Sequence, residues 1–147
     1  MVGIIGAGGA VGRAVVDELG RRGRLPIAIG RNEQKLARLF SGRAEIRTAD
    51  IADEDSAARA LQGLEAALYC VGLPFTRFAE HPVLMRKALA AARQAGVRRM
   101  IVVSSVYSYG LPRAARVSEE HPRDPHTRKG RFRKEQEDAA IAAHEPG

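Results

Sequence analysis

A chain of 147 residues has room for one compact domain, expected here over residues 1–147, and is short for two. Its 45% hydrophobic and 28% charged residues exclude disordered and fibrous classes, and no apolar stretch reaches the ~18–20 residues of a bilayer span. A lone cysteine, Cys70, and a start without a basic export leader point to a reduced, cytoplasmic setting, while a formal charge of +7, mostly from arginine, suits acidic ligands without setting a fold.

Short apolar runs alternate with helical patterns along the chain. Val2 to Ile5 reads as a strand that ends in glycines, followed by a helix over Ala10 to Arg22 with Val11, Val15, Val16 and Leu19 at helical spacing. Leu25 to Ile29 is a second strand. Asn32 then caps a helix that carries Leu36, Leu39 and Phe40 on one face and stops at Gly42. A third strand is expected over Ala44 to Thr48, and a helix capped by Asp53 through Leu61. The fourth strand spans Ala66 to Val71, and Pro82 stands in the first turn of a helix ending at Gly96, whose Ala88, Leu89, Ala91 and Ala92 suit packing on a sheet. Met100 to Ser104 is the fifth strand, Leu111 to Pro125 a proline-rich loop, and about Arg128 to Ala143 a last helix. Five strands joined by right-handed crossovers predict an α/β fold, a doubly wound parallel (Rossmann) sheet of order 3-2-1-4-5.

The sharpest local pattern is Gly6-Ala7-Gly8-Gly9-Ala10-Val11-Gly12, a G-x-x-G-x-x-G run between the first strand and its helix. Glycines there permit a tight turn and a close backbone approach to a pyrophosphate, whose charge meets the free N–H groups and positive dipole of the helix end. The end of the second strand selects the coenzyme: a carboxylate would bind the ribose 2′-hydroxyl of NAD, whereas Gly30-Arg31-Asn32 offers a guanidinium. Arg31, with Lys35 one turn on, favours NADP, with NAD as the alternative. Asp50 and Ile51 would flank the adenine, although Asp50 also suits a turn cap, and Cys70, Val71 and Gly72 would line the adenosine side. Cys70 equally suits a small core residue.

Gly6, Gly9 and Gly12, Asp50-Ile51, Ala95-Gly96-Val97-Arg98-Arg99, Ser104-Ser105 and Tyr109-Gly110 together give the chain a likeness that spans nearly its whole length. It resembles the short-chain dehydrogenase/reductase superfamily, in its extended and atypical branch of NAD-dependent epimerases and dehydratases. The resemblance implies a serine that holds the substrate oxygen, matched by Ser105, and a tyrosine and a lysine four residues on that move its proton. Here those two positions carry Lys129 and Arg133, and no Tyr-x-x-x-Lys exists in the chain. Lys129, were it buried, or Tyr109 or Tyr107, would be the substitute acid. The extended family continues into a substrate domain, so the chain is expected to be a coenzyme-binding fragment of a longer protein, with a truncated relative as the alternative.

The basic run Arg128, Lys129, Arg131, Arg133 and Lys134 lacks interleaved aromatics apart from Phe132, so nucleic acid is disfavoured as a partner, and self-association is left open. His81, His121, His126 and His144 have no ligand spacing, and no metal is expected. The leading expectation is an NAD(P)-dependent oxidoreductase, epimerase or dehydratase acting on a hydroxyl or carbonyl of a small substrate, possibly a nucleotide sugar. Its rival is a non-catalytic NADP(H) sensor.

Overall fold

A computed structural model describes residues 1–144. The chain divides into two compact units, one of Met1–Gly72 with Lys87–Val103, the other of Leu73–Arg86 with Ser104–Gly147, the last described through His144.

In the first unit, β1 (Val2–Ile5), β2 (Ile27–Gly30), β3 (Glu45–Thr48), β4 (Ala66–Tyr69) and β5 (Arg99–Val102) form one parallel sheet of order β3-β2-β1-β4-β5, the order expected. Register follows the alternation of buried residues: Ile4 stands between Ala28 and Leu68. That row packs with Ala7, with Val16 of α1 (Ala10–Arg21) and with Leu36 and Phe40 of α2 (Glu33–Phe40). Ile5, Ile27, Ile29, Ala67 and Tyr69, one residue out of phase with that row, are buried too, as a sheet with two covered faces requires. Small residues are buried on α3 (Glu54–Leu61), at Ala57, Ala58 and Ala60, and at Ala88, Ala91 and Ala92 of α4 (His81–Gln94).

β1 keeps its expected bounds, while the expected ends of β2, β3, β4 and β5, four residues each, need correction. Leu25, expected to open β2, is 66% exposed and precedes the buried Pro26. The ladders of β4 close at Tyr69, paired with Ile5 and Val102, which leaves Val71 and Ser104 beyond the last paired residues. Asn32 and Asp53 cap α2 and α3, accepting from the N–H groups of Lys35 and Ser56.

The second unit contains two short 3-10 turns that periodicity did not show, Phe75–Glu80 and Val106–Tyr109, with the first residues of α4 and with α5 (Arg128–Ala142). Thr127 caps α5 by accepting from Gly130 N–H at 3.0 Å. The buried residues of α5 are Gly130, Arg133 and Gln136, so this helix is held by polar contacts rather than by an apolar stripe. Arg123, from the proline-rich loop, reaches Glu137 at 2.9 Å and Asp138 at 2.8 Å, and the Ser104 hydroxyl donates to Glu137.

Candidate functional site

In the first unit, the chain leaves β1 through Gly6, whose φ of +87° lies where glycine is favoured, and enters α1 at an N-cap, Gly9, that has no side chain to cap it. The amides of Gly6 and Ala7 donate to the Ile29 carbonyl and that of Gly9 to the Gly6 carbonyl, which folds the loop onto β2. The N–H groups of Ala10, Val11 and Gly12 open the helix without an intrahelical acceptor, and no acidic residue stands in the first turn. A Cβ on Gly12 would lie 2.6 Å from Ala7 Cα and 2.7 Å from the Gly6 carbonyl oxygen, so only glycine lets α1 come this close to the loop. A Cβ on Gly6 would stand 3.0 Å from the Cys70 carbonyl oxygen, which puts the end of β4 beside the turn.

Arg31 is exposed at the end of β2. Lys35 comes closer to the loop: its Nζ lies 3.6 Å from where a Gly8 Cβ would stand, because the Asn32 cap directs the first turn of α2 toward the glycines. Sequence spacing points first to Arg31 and to Lys35 only as its neighbour. Asp50 is exposed, and its Oδ1 accepts from the Ala52 N–H at 3.0 Å, the turn-capping use foreseen for it, while Ile51 is half-buried beside it. Cys70, half-buried against the core, donates its thiol to the Ile5 carbonyl at 3.2 Å, and burial pushes that thiol up to about 11, which disfavours the thiolate a nucleophile needs. Val71 is half-buried and Gly72 exposed after it.

In the second unit, Ser105 begins the turn that carries Tyr107 and Tyr109. Its Oγ is buried with no hydrogen-bond partner among the described residues, whereas the Ser104 hydroxyl is engaged by Glu137. Tyr109 packs edge-on to His121, ring centroids 5.9 Å apart. Lys129 is exposed, so the burial that would make it an acid is absent. Its ammonium instead rests 3.5 Å above the Phe75 ring and 5.9 Å from Phe78. Arg133, where the resemblance expects a lysine, is buried beside His81, with Nη1 3.2 Å from Nδ1. Burial, with the Arg133 charge second and Glu80 opposing, lowers His81 to about 4 and keeps the ring neutral. Neither the aromatic seat of Lys129 nor the His81–Arg133 contact has a local sequence signal, because each joins residues about fifty positions apart. No cluster of metal ligands occurs among the described residues, and no helix there is long and apolar enough to cross a membrane.

A five-stranded parallel sheet of this order, with a glycine-built, uncapped helix start at the exit of β1, defines the dinucleotide-binding class of α/β proteins. The chain belongs to the NAD(P)H-binding family, which it matches over residues 6–144. No curated protein matches it. Among solved structures, it is similar to a short-chain dehydrogenase/reductase superfamily protein from Agrobacterium tumefaciens with bound NAD, at 27% identity over 95% of this chain and 44% of that one, TM-score 0.77. The fold is shared with the Citrobacter sp. triphenylmethane reductase complexed with NADP(H), at 22% identity over 97% of this chain and 46% of that one, TM-score 0.76. It is shared also with the UDP-Glc/GlcNAc 4-epimerase of Campylobacter jejuni, at 17% identity over 97% of this chain and 48% of that one, TM-score 0.81. The chain thus spans a little under half the length of these proteins. The likeness to the short-chain superfamily read from the sequence holds, and the fold is that of NAD(P)-binding oxidoreductases and epimerases.

Proposed function

We propose that this chain is the coenzyme-binding part of an NADP(H)-preferring oxidoreductase, epimerase or dehydratase that acts on a hydroxyl or carbonyl group. The observation that carries the reading is the start of α1, where bare amides, no cap and no carboxylate meet a lysine ammonium above Gly8. In this reading Gly6, Gly8, Gly9, Ala10, Val11 and Gly12 hold the pyrophosphate, and Arg31 and Lys35 take the 2′-phosphate. Asp50, through the oxygen not used on Ala52, and Ile51 meet the adenine, and Cys70, Val71 and Gly72 line the adenosine side by backbone and packing. The nicotinamide, when bound, donates or accepts a hydride. Ser105 would orient the substrate oxygen with the hydroxyl that lacks a protein partner, and Tyr109 would deliver or take the proton.

A second reading, an NADP(H) sensor without turnover, is favoured by Lys129 and Arg133 at the positions of the acid/base pair: one is exposed on phenyl rings, the other buried against a neutral histidine. Calorimetry with NADPH and NADH tests the shared part, with tighter binding of NADPH expected and no heat from either defeating both readings. Loss of NADPH absorbance across a panel of ketones, aldehydes and sugar nucleotides then separates the enzyme from the sensor.

A further inference from the structure

In the second unit, residues 111–120 form an exposed loop whose two limbs meet at their base. Gly110, at a φ of +77°, lies so close to the Asp124 carbonyl that a Cβ would have no room, and the two residues form a parallel bridge. Beyond that base the backbone has few donors with which to join the limbs, because Pro112, Pro122 and Pro125 carry no N–H. An imidazole joins them instead. The Arg113 N–H donates to His121 Nε2 at 3.2 Å, and His121 Nδ1 lies 2.9 Å from the Pro122 carbonyl oxygen. The ring is half-buried and edge-on to Tyr109, and the His121 N–H donates to the Ser118 carbonyl at 3.1 Å, closing the turn through Glu119 and Glu120.

These partners assign the ring proton. A backbone N–H can only donate and a carbonyl oxygen can only accept, so Nε2 is the bare nitrogen and Nδ1 the protonated one. An imidazolium carries N–H on both nitrogens. A second proton therefore sets donor against donor at Arg113 and breaks the bond between the limbs. The charges of the surrounding segments act in both directions. Arg113, paired with Asp124 at 3.5 Å, and Arg123, held by Glu137 and Asp138, oppose the proton, while Glu119, Glu120 and Asp124 favour it, and His126 is the other titratable ring of this stretch. What the bond holds is a cavity wall: Leu111, Pro112 and Arg113 on the outgoing limb, with Tyr109, Asp124 and His126, line a cavity of about 250 Å³.

We propose that His121 is a proton-operated latch. Neutral, it ties the Arg113 limb to the Pro122 limb and keeps the cavity walled; protonated, it frees the Arg113 limb and with it that wall. The device stands on the second unit alone and needs neither coenzyme nor substrate, so a failure of NADPH binding leaves it untouched. It is tested by nuclear magnetic resonance on the full chain labelled with nitrogen-15, from about pH 8 to about pH 5. Ring nitrogen shifts report the His121 tautomer, with His126 followed by its own resonances. Water exchange reports the protection of the Arg113 amide, taken relative to an unstructured peptide of the same sequence so that the intrinsic pH dependence of exchange cancels. The expected result is the Nδ1–H tautomer at the upper end, with the Arg113 amide protected about three- to tenfold, and a loss of that protection in step with the His121 titration. His121→Phe keeps an aromatic ring for Tyr109 and should leave the amide unprotected at every pH, whereas Asp124→Asn removes the neighbouring ion pair and should keep the pH step. Unchanged protection of the β1 amides checks that each variant is folded. An Nε2–H tautomer at about pH 8, Arg113 protection that does not follow the His121 titration, or protection retained in His121→Phe would overturn the latch.

Discussion

Gly12 carries no side chain because the Gly6 and Ala7 backbone occupies the space a methyl would need. Gly12→Ala must push α1 away from the loop, an overpacking cost of about 1–3 kcal/mol. The same displacement moves the amides of Ala10 and Val11, so NADPH affinity is expected to fall at least about tenfold, beyond the loss of stability. Chemical denaturation and calorimetry on one preparation check both, and a variant that melts early yet binds normally would show that the amides are not the contact. His81 makes the stability of the fold depend on pH. Its folded value, lowered to about 4, lies below the ordinary histidine value, so the unfolded chain binds the extra proton first. The stabilisation is therefore complete above about pH 6.5 and is lost as the pH falls toward 4, on the order of 3 kcal/mol in all. Melting temperature against pH should show that decline, and His81→Phe should flatten it. Cys70, raised to about 11, should resist iodoacetamide in the folded chain at pH 8 and react on unfolding.

At the scale of elements, the caps tie stability to the site. The Asn32 side chain accepts from the Lys35 N–H at 2.8 Å, and that same residue sends its ammonium over Gly8. Asn32→Ala should cost about 1 kcal/mol and also weaken NADPH, whereas Asp53→Ala, at the cap of α3, should cost as much in stability and leave the coenzyme alone. Denaturant midpoints and binding constants for the two variants form the comparison. The caps, the glycine loop and the strand order were readable in the sequence because each is a local pattern: a side chain bonds three residues on, glycines cluster between a strand and a helix, and apolar runs alternate with amphipathic ones. Strand ends were less legible, since Leu25, Val71 and Ser104 extend the apolar or small-residue runs past the point where a neighbouring strand offers hydrogen bonds. The two 3-10 segments, six and four residues long, are too short to leave a periodicity to find. The seat of Lys129 was unreadable for a different reason. It needs Phe75 and Lys129 to meet, and nothing in either neighbourhood announces the other.

At the scale of the whole molecule, the net charge of +7 makes every anionic ligand partly an electrostatic one, so a shift with NADPH has to be separated from nonspecific attraction. Linkage supplies the means, because a ligand that binds only the folded chain stabilises it by about 2.7 kcal/mol at one hundred times its dissociation constant. For a protein of this length that raises the melting temperature by about 5–10 °C. NADH, which lacks the 2′-phosphate, should raise it less at the same concentration if Arg31 and Lys35 read that group. Both side chains are exposed, so their contribution should shrink as salt rises from 0.1 M to 0.5 M, where the screening length falls below about 5 Å. The NADH shift rests on the pyrophosphate and on hydrogen bonds from the backbone amides at the start of α1 and should lose less. The expected pattern is thus a gap between the two coenzymes that narrows with salt while both shifts persist. Shifts that vanish together would mean that charge alone holds the ligand, and a larger shift with NADH would remove the 2′-phosphate role of Arg31 and Lys35 while leaving the loop its pyrophosphate.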